Sequence, residues 1–210
     1  ASNGHIMQFK KPMDYKFANN VIFSKFTILP DNETVAIEYS QDSIYKIALY
    51  SFPHGKFIRE LPEANYYGVS SSGNIALTAE EEVLTDLPTG NWKFSFYDID
   101  SDTNINSVIF PGNPEGRFVT GLSQMGNALA VWDDYNDIAY IWNKSGALLG
   151  QFSIDLPSDI DPYQTSLLFS ADEKSLMLSA PSEIVVIDIA SGQVIKTLRA
   201  GRIINGMAIH

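Results

Sequence analysis

The chain contains no cysteine. That absence removes disulfides, thiolate nucleophiles, zinc–thiolate sites and iron–sulfur ligation together, and it leaves the cellular compartment open. Histidine is scarce: of 3 residues, His5 lies near the start, His210 ends the chain and His54 sits in a turn-like Pro-His-Gly stretch. No Ser–His–acid set and no histidine metal cluster can be assembled from them. Basic residues are few, 14 Lys and Arg against 25 Asp and Glu, for a net charge of -11. The clustered cations that phosphate contacts require are missing, which argues against a nucleic-acid partner. The same charge repels an anionic membrane surface. No apolar run approaches the roughly 20 residues of a spanning helix. No strand–glycine–helix sequence marks a phosphate loop, and no cofactor is expected.

What is present suits an all-β protein. Hydrophobic residues make up 45% of the 210, with Tyr 10, Phe 12 and Trp 3, a supply of large rings for strands packed face to face. Period-two patterning recurs between clusters of Pro, Gly, Asn and Asp, and helical spacing is sustained nowhere. Ala1–Met7 reads as a vector-derived scar, outside the fold argument.

One pattern returns about four times at a period near 45 residues. Its clearest copy runs Leu168-Phe169-Ser170-Ala171-Asp172-Glu173-Lys174-Ser175-Leu176-Met177-Leu178-Ser179, then Glu183 to Leu198: strand, polar turn, strand, loop, strand, tight turn, strand. The first copy places strands at Phe23–Leu29, Thr34–Tyr39, Ile44–Tyr50 and Lys56–Leu61, broken by Pro30-Asp31-Asn32 and His54-Gly55. The second uses Tyr66–Ser70, Ile75–Thr78, Phe94–Asp98 and Ile105–Phe110, with a long excursion from Glu80 to Trp92. The third uses Phe118–Leu122, Ala128–Trp132, Ile138–Trp142 and Leu148–Phe152. The expected fold is a β-propeller of four-stranded antiparallel blades, radial repetition being one solution to exposed sheet edges. Blades are expected at 21–62, 65–112, 116–157 and 163–201, within a propeller region of 8–210.

Phe169-Ser170-Ala171-Asp172-Glu173-Lys174 resembles the strand–turn opening of the WD-repeat family and its YVTN-type relatives. Ile187-Asp188-Ile189-Ala190-Ser191-Gly192 is similar to that family's third-strand ending, with weaker versions at Ile141–Gly146 and Tyr97–Asp100. The chain departs from the family in lacking a Gly-His pair at blade entries and a Trp-Asp pair closing the third strand. Trp132-Asp133 is expected to end a second strand instead. Partial strands are expected at both ends: Ile203–His210 as the start of a further blade, and Phe9–Phe17 as a returning strand. About four blades plus such pieces could form a small ring, but part of a larger ring is the expected reading, propellers having about 4–8 blades.

Three stretches carry candidate chemistry. Asp98, Asp100 and Asp102 alternate as in calcium loops, but Thr103 stands where the loop glycine belongs and Ile109 where the bidentate Glu belongs, so a solvated turn is expected and the metal reading is weak. Asp133–Asp137 and Asp155–Tyr163 are acidic segments with aromatics, expected as connections. The Glu80–Trp92 excursion combines an acidic head with apolar residues, and extra length between strands often carries binding; the alternatives are a surface excursion folding back on its own blade, or a strand that simply runs long. Glu80, Glu81, Glu82, Leu84, Leu87 and Trp92 are therefore the candidate partner-binding residues. Trp132, Trp142, Phe96 and Phe169 are expected in the core.

The resemblance implies a non-catalytic binding module, a scaffold for protein–protein or interdomain contacts through blade loops. The partner would be another protein or an adjacent domain of the same chain. The alternative is the propeller domain of, or attached to, an enzyme (a hydrolase or lyase) that uses acidic loop residues.

Overall fold

A computed structural model describes residues 21–41, 44–62, 65–71, 74–84, 87–112, 118–154 and 165–199. Among them sixteen strands form four separate four-stranded sheets. The first contains β1 (Val21–Ile28), β2 (Thr34–Gln41), β3 (Ile44–Ser51) and β4 (Phe57–Glu60). The second contains β5 (Tyr66–Val69), β6 (Ile75–Leu84), β7 (Leu87–Asp98) and β8 (Thr103–Phe110). The third contains β9 (Phe118–Leu122), β10 (Ala128–Asp133), β11 (Ile138–Asn143) and β12 (Leu148–Ser153). The fourth contains β13 (Ser166–Phe169), β14 (Ser175–Ser179), β15 (Glu183–Asp188) and β16 (Val194–Arg199). Each sheet is an antiparallel meander in chain order. The protein is thus an all-β propeller of four-stranded blades. The expected strands at Phe9–Phe17 and Ile203–His210, and the segment Ala1–Met7, lie outside the described residues.

The turns explain why the strands stop where they do. After the first strand of three blades, a serine hydroxyl reaches five residues ahead and accepts the N–H that opens the second strand. Ser70 takes Ile75 (3.1 Å), Ser123 takes Ala128 (3.0 Å) and Ser170 takes Ser175 (3.0 Å). In the first blade Asp31 does this work, accepting from Glu33 and Thr34, both at 2.9 Å, while Asn32 adopts φ 55. Short polar side chains bond locally and tolerate the left-handed region, which suits them to tight turns. At the end of the third strand Asp98, Asn143 and Asp188 accept turn N–H groups in the same way. Trp132-Asp133 closes a second strand, β10, as expected.

Packing follows the alternation. Ala36, Ile47 and Leu49 of the first sheet meet Tyr66, Ala76 and Tyr97 of the second. Leu77, Phe94 and Phe96 meet Leu129, Val131 and Trp142 of the third. Ala130, Trp132 and Ile141 meet Phe169, Leu176 and Val185 of the fourth. Full burial of each large apolar side chain stabilises by about 1.5–3 kcal/mol. Trp132, Trp142, Phe96 and Phe169 are all buried, as expected of core. The inner strands approach closely: a Cβ on Gly121 of β9 would stand 2.4 Å from the Leu167 carbonyl oxygen of β13. Only glycine fits there.

For the excursion the structure takes one of the expected alternatives, a strand that runs long: β6 and β7 continue as a paired ribbon, with Glu80 opposite Lys93, Glu81 opposite Trp92, Val83 opposite Pro88 and Leu84 opposite Leu87. A register shift between Glu81 and Val83, together with the Pro and Gly of the returning strand, obscures the alternation in the sequence. Ladder hydrogen bonds persist where the pattern does not.

Gly121→Ala is expected to destabilise by about 1–3 kcal/mol through overpacking, read as a lower urea midpoint with unchanged slope. An unchanged midpoint would mean that β9 and β13 can separate freely.

Candidate functional site

The ribbon is built by unequal strand lengths. On one side β5 begins at Tyr66, opposite Thr78, and the Ala79 N–H donates to the Asn65 carbonyl at 2.8 Å. On the other side β8 pairs only as far as Trp92, opposite Phe110. Residues 80–84 and 87–91 therefore extend past the four-stranded part of the second blade. Glu80 and Glu81 are exposed. Glu80 Oε1 takes Lys93 Nζ at 2.7 Å, with both side chains substantially solvated, so this pair contributes little stability. Glu82, Leu84 and Leu87 belong to the ribbon by backbone; their side chains lie outside the described part.

Trp92 has a different place from the one expected. It is half-buried, its ring 4.9 Å from that of Phe118 in an edge contact. Phe118 also meets Phe94 at 5.3 Å and Phe110 at 5.8 Å, so the indole joins an aromatic cluster between the second and third blades. A Cβ on Gly112 would stand 2.0 Å from the Gly90 carbonyl oxygen and 3.0 Å from Trp92 Cδ1. Trp92 anchors the root of the ribbon rather than standing at its tip.

The three alternating carboxylates face separate partners. Asp98 Oδ1 caps its own turn, accepting from the Asp100 and Ser101 N–H groups, both at 2.9 Å. Asp100 accepts from the Asn74 side chain. Asp102, at φ 58, accepts from Arg59 Nη1 and from the Tyr97 hydroxyl, while Arg59 Nη2 donates to the Ile99 carbonyl. Among the described residues no group of three or more His, Asp or Glu is placed to hold a metal ion. The turn works instead as a pin from β4 of the first blade to the second. The Tyr97 and Arg59 hydrogen bonds hold the Asp102 carboxyl below its usual value. Burial, with the Asp102 carboxylate alongside, pushes Tyr97 up to about 12.

Asp133 is fully buried and serves the β10–β11 turn: Oδ1 accepts from Tyr135 (3.1 Å) and Asn136 (3.3 Å), and Oδ2 from the Asn136 side chain (2.7 Å). Residues 155–163 lie outside the described residues. His54 is exposed in the β3–β4 turn. Sequence reasoning missed Arg59, whose contact with Asp102 spans 43 positions. It also missed a cleft of about 370 Å³ against the second blade, lined by residues including Tyr66, Thr78, Ser95 and Tyr97.

No family model matches the chain, and no curated protein is significantly similar to it. Solved structures are similar in fold. The Cps50 (Swd1) β-propeller domain of Myceliophteria thermophila superposes with TM-score 0.53 at 14% identity, over 89% of this chain and 59% of that one. KlAtg21, solved in complex with the coiled coil of AgAtg16, gives TM-score 0.57 at 14% identity, over 86% and 57%. Hydrazine synthase of Kuenenia stuttgartiensis gives 0.53 at 18% identity, over 85% and 48%. The chain spans about half the length of such neighbours. These findings define the fold as a β-propeller. Identities this low carry the fold alone, and the fold hosts both binding proteins and an enzyme.

The pin has a pH signature. Its carboxylate is depressed in the folded state, so its stabilisation is present above the unfolded-state pKa and is lost as pH falls through the folded value. Asp102→Asn is expected to lower the melting temperature near neutral pH and to flatten its acid-side decline. Parallel wild-type and variant profiles would show that the pin carries no pH-dependent stability.

Proposed function

We propose that the chain is a non-catalytic binding module: a rigid array of blades that presents the β6–β7 ribbon to a protein partner or to an adjacent domain. The observation that carries this reading is the ribbon itself, which extends past its own blade with exposed Glu80 and Glu81 at its root. Paired strands make such a projection stiff, so little ordering entropy is lost on contact. A run of three glutamates suits a basic surface, whose approach the net charge of -11 also accelerates at low salt. KlAtg21, captured with a coiled coil, offers a propeller neighbour bound to a protein. The enzyme reading has a neighbour in hydrazine synthase, but here Asp98, Asp102 and Asp133 are spent on turns and pins.

The same reading treats the chain as four blades of a larger ring. On the face of the first sheet turned away from the second, Val35, Ile37, Tyr39, Ala48 and Tyr50 are all buried. Val35 and Ile37 correspond in register to Leu129 and Val131, which the preceding blade covers.

Reversing the ribbon charge with Glu80→Lys and Glu81→Lys is expected to abolish capture of the partner in pull-downs while shifting stability by less than about 0.5 kcal/mol per exposed site. Retained capture removes the ribbon from contention. Light scattering is expected to find the 210-residue chain self-associating, as blades of a larger ring would. A compact monomer with one cooperative melting transition would overturn the larger-ring reading.

A further inference from the structure

The second and third strands of every blade pair in the same register, and the fourth rung from their first pair is diagnostic. It is Ile37 opposite Ala48, Val131 opposite Tyr140, and Leu178 opposite Val185 in three blades. In the second blade it is Thr78 opposite Ser95. Tyr66 lies opposite Thr78 on one side, and Ser107 lies opposite Ser95 on the other, so a polar row crosses the sheet. This is where the cleft of about 370 Å³ opens, with Asn104 and Glu80 also lining it. Elsewhere this rung is aliphatic or aromatic and packs; here short hydroxyl side chains replace the packing and leave space, as a ligand site does.

The groups present narrow the ligand. Ser95 Oγ lies 2.8 Å from Ser107 Oγ. Among the described residues the Thr78 hydroxyl and the Asn104 carboxamide make no side-chain hydrogen bond, and both line the cleft. The Tyr66 hydroxyl donates to the Pro62 carbonyl at 3.1 Å and that of Tyr97 to Asp102, which leaves both oxygens able to accept. The charges at hand are paired, Glu80 with Lys93 and Arg59 with Asp102. A charged ligand would be desolvated there without a counter-ion. An apolar one would leave the hydroxyls unsatisfied. The two tyrosine rings meet edge to face at 6.3 Å and are both buried, so no open ring face is offered to a sugar. A primary carboxamide fits: two N–H donors for hydroxyl oxygens, and a carbonyl for Thr78 or for the Asn104 amide.

We propose that this cleft binds the side chain of an Asn or Gln carried on a partner peptide. The inference rests on the binding-module reading and gives that module a contact separate from the ribbon.

The test is an NMR titration of the 210-residue protein with acetylated, amidated Ala-Ala-Gln-Ala-Ala, its Glu and Leu counterparts, free glutamine and glucose. The Gln peptide is expected to shift the Thr78, Ser95 and Asn104 resonances saturably in the millimolar range. The Thr78→Val, Ser95→Ala double variant copies the apolar rung of the other blades, so it keeps the fold, and its affinity is expected to drop by about tenfold or more, about 1.4 kcal/mol. Equal shifts from the Glu or Leu peptide or from glucose, no saturable shift, or an unchanged midpoint in the double variant would each overturn the carboxamide site. Free glutamine binding as tightly as the peptide would overturn the peptide as its source. None of these readouts depends on the ribbon, so a failed pull-down with a positive titration removes the ribbon alone.

Discussion

A four-stranded sheet with two apolar faces is not stable by itself, and the structure follows from the need to cover both. In each blade the second and third strands send alternate residues to opposite sides, so that Leu77 and Phe96 turn toward the third blade while Ala76 and Tyr97 turn toward the first. Neighbouring blades are therefore obligatory partners. Each interface buries side chains worth about 1.5–3 kcal/mol apiece, against a net domain stability of about 5–15 kcal/mol. No blade can be displaced without exposing two faces, which is why the array is a rigid platform for whatever projects from it.

The seam between the first and second blades obeys this rule only in part. Leu49, Tyr66 and Ile99 bury an apolar half, while Thr78 and Ser95 interrupt the other half with a polar row. The Arg59–Asp102 contact fastens the two blades across that weaker seam. The ribbon leaves the second blade nearby, rooted by Trp92 against Phe118. The second blade thus carries the longest strands, the cross-blade pin and the polar cleft together, and departures from the repeat are concentrated there.

Much of the blade architecture was legible because it is local. Serine or aspartate at the first turn and Asp or Asn at the end of the third strand bond backbone within five positions, and local chemistry leaves its mark in local sequence. The strands of the third copy were read nearly to the residue, Phe118–Leu122 among them. The ribbon could not be told from a loop because Pro88 and Gly90 look like punctuation, whereas in a two-stranded projection one edge of each strand needs no partner and tolerates them. Trp92 looked free because an indole beside a charged run suits a partner as well as it suits a neighbouring blade.

By itself the sequence determined a cysteine-free, acidic, all-β chain that repeats a four-stranded unit, since alternation and turn residues act within a few positions. Only the tertiary structure decided what those residues meet: that Asp102 belongs to Arg59, that Trp92 belongs to Phe118, and that Thr78 and Ser95 share one rung beside open space. Those encounters depend on the angle and spacing between blades, which are set by the summed packing of side chains distant in the chain rather than by any one segment's pattern.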